Sequence, residues 1–179
     1  MSSRISGDLA GLDIGSRSIE LVVLKDEKPV HFVRVPTTYD PLEQCRIILR
    51  DLDIPLIVST GYGRKLFAEN FGMDNIRTIT EIQAYALGAS YLFPQARTVL
   101  DIGGQDTKAI SVLENGKTAR FEMNDRCAAG TGKFLEYMAV ALQVPIEEFG
   151  DFALSGTKKT PIGNMCTVFA ETEATSLMA

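Results

Sequence analysis

One four-residue string occurs twice in this chain. Leu12-Asp13-Ile14-Gly15 returns as Leu100-Asp101-Ile102-Gly103, and the pattern around it returns too. After the first copy, Ile19 to Leu24 reads as a strand, Lys25 to Lys28 as a turn and Val30 to Val35 as a second strand. After the second copy, Thr107 to Leu113 and Thr118 to Met123 read as strands about the turn Glu114-Asn115-Gly116-Lys117. Repetition of this kind signals a duplicated supersecondary unit. The chain is therefore expected to form two lobes, residues 1–95 and 96–179. Each opens on a β-hairpin whose first turn carries Asp-x-Gly. Two such turns facing across a cleft would make a polyphosphate site. Glycines let the backbone approach, N–H groups cradle the phosphates, and the aspartates hold Mg²⁺ through water.

The segments between the copies alternate helix and strand. Tyr39 to Leu52 places Leu42, Cys45, Ile48, Leu49 and Leu52 on one helical face, with Cys45 a core residue. Pro55 to Ser59 reads as a short buried strand ending in the glycine-rich corner Thr60-Gly61-Tyr62-Gly63-Arg64. Arg64 suits either a phosphate contact or a solvated charge. Ile76 to Ile79 is a further strand, and Thr80 is the expected N-cap of a helix that begins at Glu81 and stops before Pro94. Glu81 has two readings. It complements the helix dipole, or it is a carboxylate that orients an attacking water. Gln105 and Asp106, directly after Gly103-Gly104, are placed at the phosphate end. Lys158-Lys159 reads as a solvated loop, and His31, in a strand-like run, as structural or surface.

Two cysteines stand apart from apolar runs. Cys127 lies in the small-residue loop Asn124-Asp125-Arg126-Cys127-Ala128-Ala129-Gly130-Thr131-Gly132, just before the amphipathic run Phe134, Leu135, Met138, Ala141, Leu142. Cys166 precedes a second helical run. Both are expected at helix N-termini, where free N–H groups and the dipole favour an anion and lower a thiol's pKa. Two thiolates cannot complete a four-cysteine iron–sulfur site, but a symmetric dimer would offer two from each subunit. The competing reading is two cysteines packed as small hydrophobes.

Composition narrows the class. A net charge of −5 argues against nucleic acid as the main partner. No apolar run reaches membrane-spanning length, the N-terminus lacks an apolar signal core, and three scattered cysteines do not form a disulfide framework. A cytoplasmic, reducing setting with no membrane partner is expected.

The motifs together resemble a known family. Leu12-Asp13-Ile14-Gly15-Ser16, Thr60-Gly61-Tyr62-Gly63-Arg64, Asp101-Ile102-Gly103-Gly104-Gln105-Asp106, the stretch Met123 to Gly132 and Cys166-Thr167-Val168-Phe169-Ala170-Glu171 are similar to signatures of the activators of 2-hydroxyacyl-CoA dehydratases. These belong to the BadF/BadG/BcrA/BcrD group of ATPases, which also includes benzoyl-CoA reductase subunits. The resemblance implies an α/β fold of the acetate kinase, sugar kinase, heat-shock-70 and actin superfamily, with duplicated ribonuclease H-like lobes. It implies a homodimer sharing one [4Fe–4S] cluster, with Cys127 and Cys166 of each subunit as ligands. ATP with Mg²⁺ would drive one low-potential electron, supplied by ferredoxin or flavodoxin, into a dehydratase component. Carried over by position, Asp13, Gly15, Ser16, Arg17, Ser18, Gly103, Gly104, Gln105 and Asp106 bind the nucleotide, and Glu81, Asp101 and Gln105 are catalytic. In the family a later glycine-rich motif binds adenosine and a closing helix follows. This chain ends before both, so the second lobe is expected to be incomplete, as a fragment, a shortened paralogue or half of a split protein. Two alternatives stay open: a sugar-kinase-like phosphotransferase of the same superfamily, and a truncated, non-catalytic iron–sulfur module.

Overall fold

A computed structural model describes residues 4–72, 74–163 and 165–178. The chain divides into two compact units, Met1–Leu92 and Phe93–Ala179. Among the described residues, no helix is long and apolar enough to cross a membrane.

The first unit is built on alternation. In β2 (Leu9–Ile14) and β3 (Ser18–Lys25) every second residue turns inward, burying Ala10, Leu12, Ile14, Ile19, Leu21 and Val23. These two strands and β4 (Lys28–Pro36) form an antiparallel meander. Asp26 and Glu27, both at positive φ, make the β3–β4 turn, and that left-handed backbone matches the twist of the flanking strands. β6 (Ile57–Thr60) pairs parallel with β2, and β7 (Ile76–Thr78) parallel with β6, giving the order β4-β3-β2-β6-β7. The core of the unit is Leu12, Ile14, Ile19, Leu21, Ile57, Phe67 and Cys45 with their neighbours. Each large apolar side chain buried there contributes about 1.5–3 kcal/mol.

Helices complete the unit. α1 (Pro41–Leu49) starts two residues later than its apolar face suggested, because the Asp40 carboxylate accepts from the Glu43 N–H and Pro41 fits the first turn. α2 (Arg64–Phe71) ends on Gly72 in the left-handed conformation. Thr80 does cap α3 (Glu81–Leu92): its hydroxyl accepts from the Gln83 N–H, while Gln83 Oε1 accepts from the Thr80 N–H, a reciprocal capping box. A short parallel pair of β1 (Ile5–Ser6) and β5 (Leu52–Asp53) carries no period that sequence could show.

The second unit repeats the meander. β8 (Thr98–Ile102), β9 (Thr107–Val112) and β10 (Thr118–Asn124) are antiparallel in the order β10-β9-β8. Ile110 and Val112 of β9 are buried. Then come α4 (Gly132–Ala141), a 3-10 turn at Ile146–Glu148, α5 (Phe149–Leu154) and α6 (Thr167–Met178), with α4 packed on α6. Among the described residues no strand follows α4, so β8 is an edge where its counterpart β2 is central.

Candidate functional site

The first Asp-x-Gly turn joins β2 to β3. The Gly15 N–H donates to the Ser18 carbonyl at 3.0 Å, closing the turn, and Ser16 and Arg17 are exposed on it. Thr37 braces it from the end of β4: its hydroxyl donates to the Gly15 carbonyl at 2.8 Å and its N–H to the Arg17 carbonyl at 3.0 Å. Asp13 is half-buried, with Glu20 as its cross-strand partner. The Thr60-to-Arg64 corner packs against this turn, the Gly63 N–H donating to the Ile14 carbonyl at 2.9 Å. Gly61 has φ +84°, and a Cβ there would run into the Asp13 carboxylate and the Ile14 carbonyl. Only glycine allows so close an approach in that conformation. The Arg64 guanidinium donates to the Gly61 carbonyl at 2.8 Å, so it holds its own corner in shape. Glu81 stands half-buried in the first turn of α3.

The second Asp-x-Gly turn joins β8 to β9. Asp101, Gly103, Gly104 and Asp106 are half-buried there, and Gln105 is exposed. The residue that organises the turn was not singled out from sequence. Lys108, 3% exposed, sends its ammonium to Asp101 Oδ2 at 3.1 Å and to Asp106 Oδ1 at 2.5 Å. Burial pulls an ammonium's pKa down, but here the Asp106 and Asp101 carboxylates outweigh it and hold Lys108 above its ordinary value. The signal was available: Lys108 shares the inward face of β9 with Ile110 and Val112, and a lysine on a buried face needs partners.

Cys127 lies in a loop tied to that second turn. Thr107 Oγ1 donates to the Gly130 carbonyl at 2.6 Å, and the Gly132 N–H donates to the Gly103 carbonyl at 2.8 Å. Asn124, the last residue of β10, clasps the loop from inside. Its amide donates to the carbonyls of Cys127 (2.9 Å) and Ala129 (3.0 Å), and its Oδ1 accepts from the Cys127 N–H at 3.2 Å. This corrects the expectation that Cys127 occupies a helix N-terminus. The N-cap of α4 is Thr131, fully buried with its hydroxyl on the Ala128 carbonyl, and Cys127 is held by an asparagine instead. Cys166 does stand at a helix start: its carbonyl accepts from the Ala170 N–H in the first turn of α6.

The three thiols are all free and differ in access. Cys127 is exposed and Cys166 partly so, whereas Cys45 is fully buried. Burial pushes the Cys45 thiol up to about 11, which suits a packing residue and not a ligand. Among the described residues no cluster of three or more metal-binding side chains forms. Two accessible thiols fit half of a four-thiolate set. A separate cleft of about 530 Å³, lined by Gln143, Pro145, Glu148, Asp151 and Phe152 among others, contains none of the motif residues.

Residues 10–179 match the model of the BadF/BadG/BcrA/BcrD ATPase family. The chain belongs to that family. Within it, the chain is 41% identical over 178 residues to the activator of lactoyl-CoA dehydratase of Anaerotignum propionicum, covering 94% of this chain and 67% of the relative. Component A of the Acidaminococcus fermentans (R)-2-hydroxyglutaryl-CoA dehydratase superposes with a TM-score of 0.82 at 36% identity, over 95% of this chain and 67% of that one. The activator of the 2-hydroxyisocaproyl-CoA dehydratase from Clostridium difficile, solved with bound ADPNP, gives 0.81 at 36% identity, over 95% and 65%. The chain thus spans about two thirds of the length of these family members. The α/β fold is that of these dehydratase activators.

Proposed function

We propose that this protein is an ATP-dependent one-electron donor that activates a 2-hydroxyacyl-CoA dehydratase. The observation that carries the reading is the join between the second phosphate turn and the Cys127 loop. Two hydrogen bonds, Thr107 to Gly130 and Gly132 to Gly103, fasten a nucleotide motif to a candidate ligand loop within one unit. A phosphate that shifts Gly103 would move the backbone leading to Cys127. Relatives named as dehydratase activators, one of them solved with an ATP analogue, support the same assignment.

Asp13, Gly15, Ser16, Arg17 and Ser18 in the first turn, and Gly103, Gly104, Gln105 and Asp106 in the second, are the nucleotide-binding residues. Backbone N–H groups of the turns would receive phosphate oxygens, and Asp13 and Asp101 would hold Mg²⁺. Glu81 and Gln105 orient the attacking water, with Asp101 as the carboxylate of the hydrolytic step. Cys127 and Cys166 are the chain's ligands to a [4Fe–4S] cluster, which when bound supplies a one-electron carrier. A second copy of the chain contributes the other two thiolates. Met165, Val168 and Phe169, exposed around Cys166, give apolar surface for that association. A reduced ferredoxin or flavodoxin supplies the electron, and the cytoplasm is the setting.

Iron and acid-labile sulfide per chain, measured on anaerobically purified protein alongside its oligomeric state, tests the reading. About two irons per chain in a dimer, with ATP turnover, is the expected result. A monomer, or no iron after anaerobic reconstitution, would overturn the shared cluster.

A further inference from the structure

The two copies of the phosphate turn share a scaffold but differ in charge. In the first, the residue across the ladder from Asp13 is Glu20. Ser18 donates to Glu20 Oε1 at 2.5 Å, and Arg34 pairs with the same oxygen at 3.2 Å from solvent. In the second, the residue across from Asp101 is Lys108. The place of Ser18 is taken by Asp106, and the two-residue contact recurs with the donor and acceptor exchanged, Lys108 Nζ on Asp106 Oδ1 at 2.5 Å. A half-buried Asp–Glu pair in one copy has become a carboxylate–ammonium–carboxylate set with a buried centre in the other.

A buried ammonium between two carboxylates has few ways to sit. Its desolvation is offset only when both partners are close and well placed, so the three groups fix one another. The ammonium is too enclosed to reach a ligand itself. The carboxylates it fixes are partly exposed on the turn and belong to the nucleotide machinery assigned above. Gly103 is part of the same device: a Cβ there would meet Asp106 Oδ1 at 2.6 Å, so a glycine leaves the room that lets Asp106 fold over the turn toward Lys108.

We infer that Lys108 is a positioning residue for ATP hydrolysis, its buried ammonium fixing Asp101 and Asp106 in the orientation the chemical step requires. The inference rests on the ATPase reading and deepens it. Lys108 acts through its neighbours, so its loss should slow turnover without weakening nucleotide binding in proportion. The alternative is a purely structural ion pair, whose loss would lower stability alone.

The test is steady-state ATP hydrolysis and MgADP calorimetry on the purified protein, for the unmodified chain and for Lys108→Met, Lys108→Gln and Lys108→Arg, each checked by thermal unfolding. In folded Lys108→Met, kcat is expected to fall by about tenfold or more, with KM and the MgADP Kd within about threefold. Lys108→Gln, which loses the charge but keeps a donor, carries the same expectation if the methionine variant does not fold. Lys108→Arg, which keeps the charge, should retain more turnover than either. A folded Lys108→Met or Lys108→Gln that hydrolyses ATP within about twofold of the unmodified chain overturns the inference and leaves the ATPase reading standing. So does an arginine variant no better than methionine, which would mark the role as packing. Absence of hydrolysis in the unmodified chain overturns the ATPase reading, and the inference falls with it.

Discussion

Leu12 and Leu100 hold the same place in the two copies of one motif, yet Leu12 is 1% exposed and Leu100 is 65% exposed. The reason is the face each occupies. Leu12 lies on the core face of its sheet, whereas Leu100 pairs across the ladder with Ala109, also exposed, on the open face of a sheet whose edge is β8. Leu12→Ala should therefore cost about 2–5 kcal/mol, while Leu100→Ala should stay within about 0.5 kcal/mol. Urea unfolding of both variants checks this. Equal shifts in midpoint would mean that Leu100 is covered in solution.

Gly61 sets how closely the Thr60-to-Arg64 corner approaches Asp13. Gly61→Ala combines a non-glycine residue at φ +84° with a clash against the Asp13 carboxylate and the Ile14 carbonyl. A loss of about 1–3 kcal/mol is expected, together with weaker nucleotide binding as Asp13 is displaced. Gly72→Ala is the control, since it also has positive φ but nothing near its Cβ. Were the two variants to bind MgADP equally well, Gly61 would have no role beyond its own backbone.

Much of this architecture was legible in the sequence for a specific reason. Strict alternation in Leu9 to Leu24 marks the strands and the inward face of the first copy, and a repeated Asp-x-Gly marks both turns, but in the second copy the buried face is the opposite one, with Lys108, Ile110 and Val112 at the places of Glu20, Val22 and Leu24. The cysteine loop was less legible because an amphipathic run so close to Cys127 implied that the helix starts there. Thr131 takes the cap, and a side chain three residues upstream, Asn124, sets the loop by hydrogen bonds that leave no periodic trace. Lys108 was missed for a related reason. Its period with Ile110 and Val112 marks it as buried, but its partner Asp101 lies across the ladder, and that pairing is not written in either strand alone.

The thiols should separate by access. In the folded, cluster-free protein, Cys127 and Cys166 should react with iodoacetamide while Cys45 stays protected until unfolding. Cys45 also gives the alkaline limit of the first unit a definite sign. Its folded pKa is raised from 9.0 to about 11, so the folded state holds the proton more tightly than the unfolded chain. The resulting stabilisation is fully present below pH 9 and is lost as pH rises from there toward 11. Chemical unfolding across that window should show a fall in stability that is smaller in Cys45→Ala, even though the alanine variant starts less stable from the lost packing. Parallel pH curves for the two proteins would mean that the buried thiol does not titrate on unfolding.

Thr107 gives the most direct test of how nucleotide reaches Cys127. Its hydroxyl is one of the links between the second phosphate turn and the cysteine loop, and the others are backbone that substitution cannot remove. Thr107→Val keeps the shape and the β-branching that suits a strand, and deletes one hydrogen bond worth about 0.5–1.5 kcal/mol. The fold should therefore survive. In the unmodified chain, MgADP is expected to change the alkylation rate of Cys127 by about fivefold, the size of a modest coupling free energy. In Thr107→Val that dependence should shrink to about twofold or less, because the phosphate turn can move without carrying Gly130 with it. MgADP affinity measured in parallel separates loss of coupling from loss of binding. If Thr107→Val binds MgADP normally and Cys127 still responds in full, the hydroxyl is not the link, and the Gly132 to Gly103 bond and the pairing of Thr107 with Asn124 join the two loops without it.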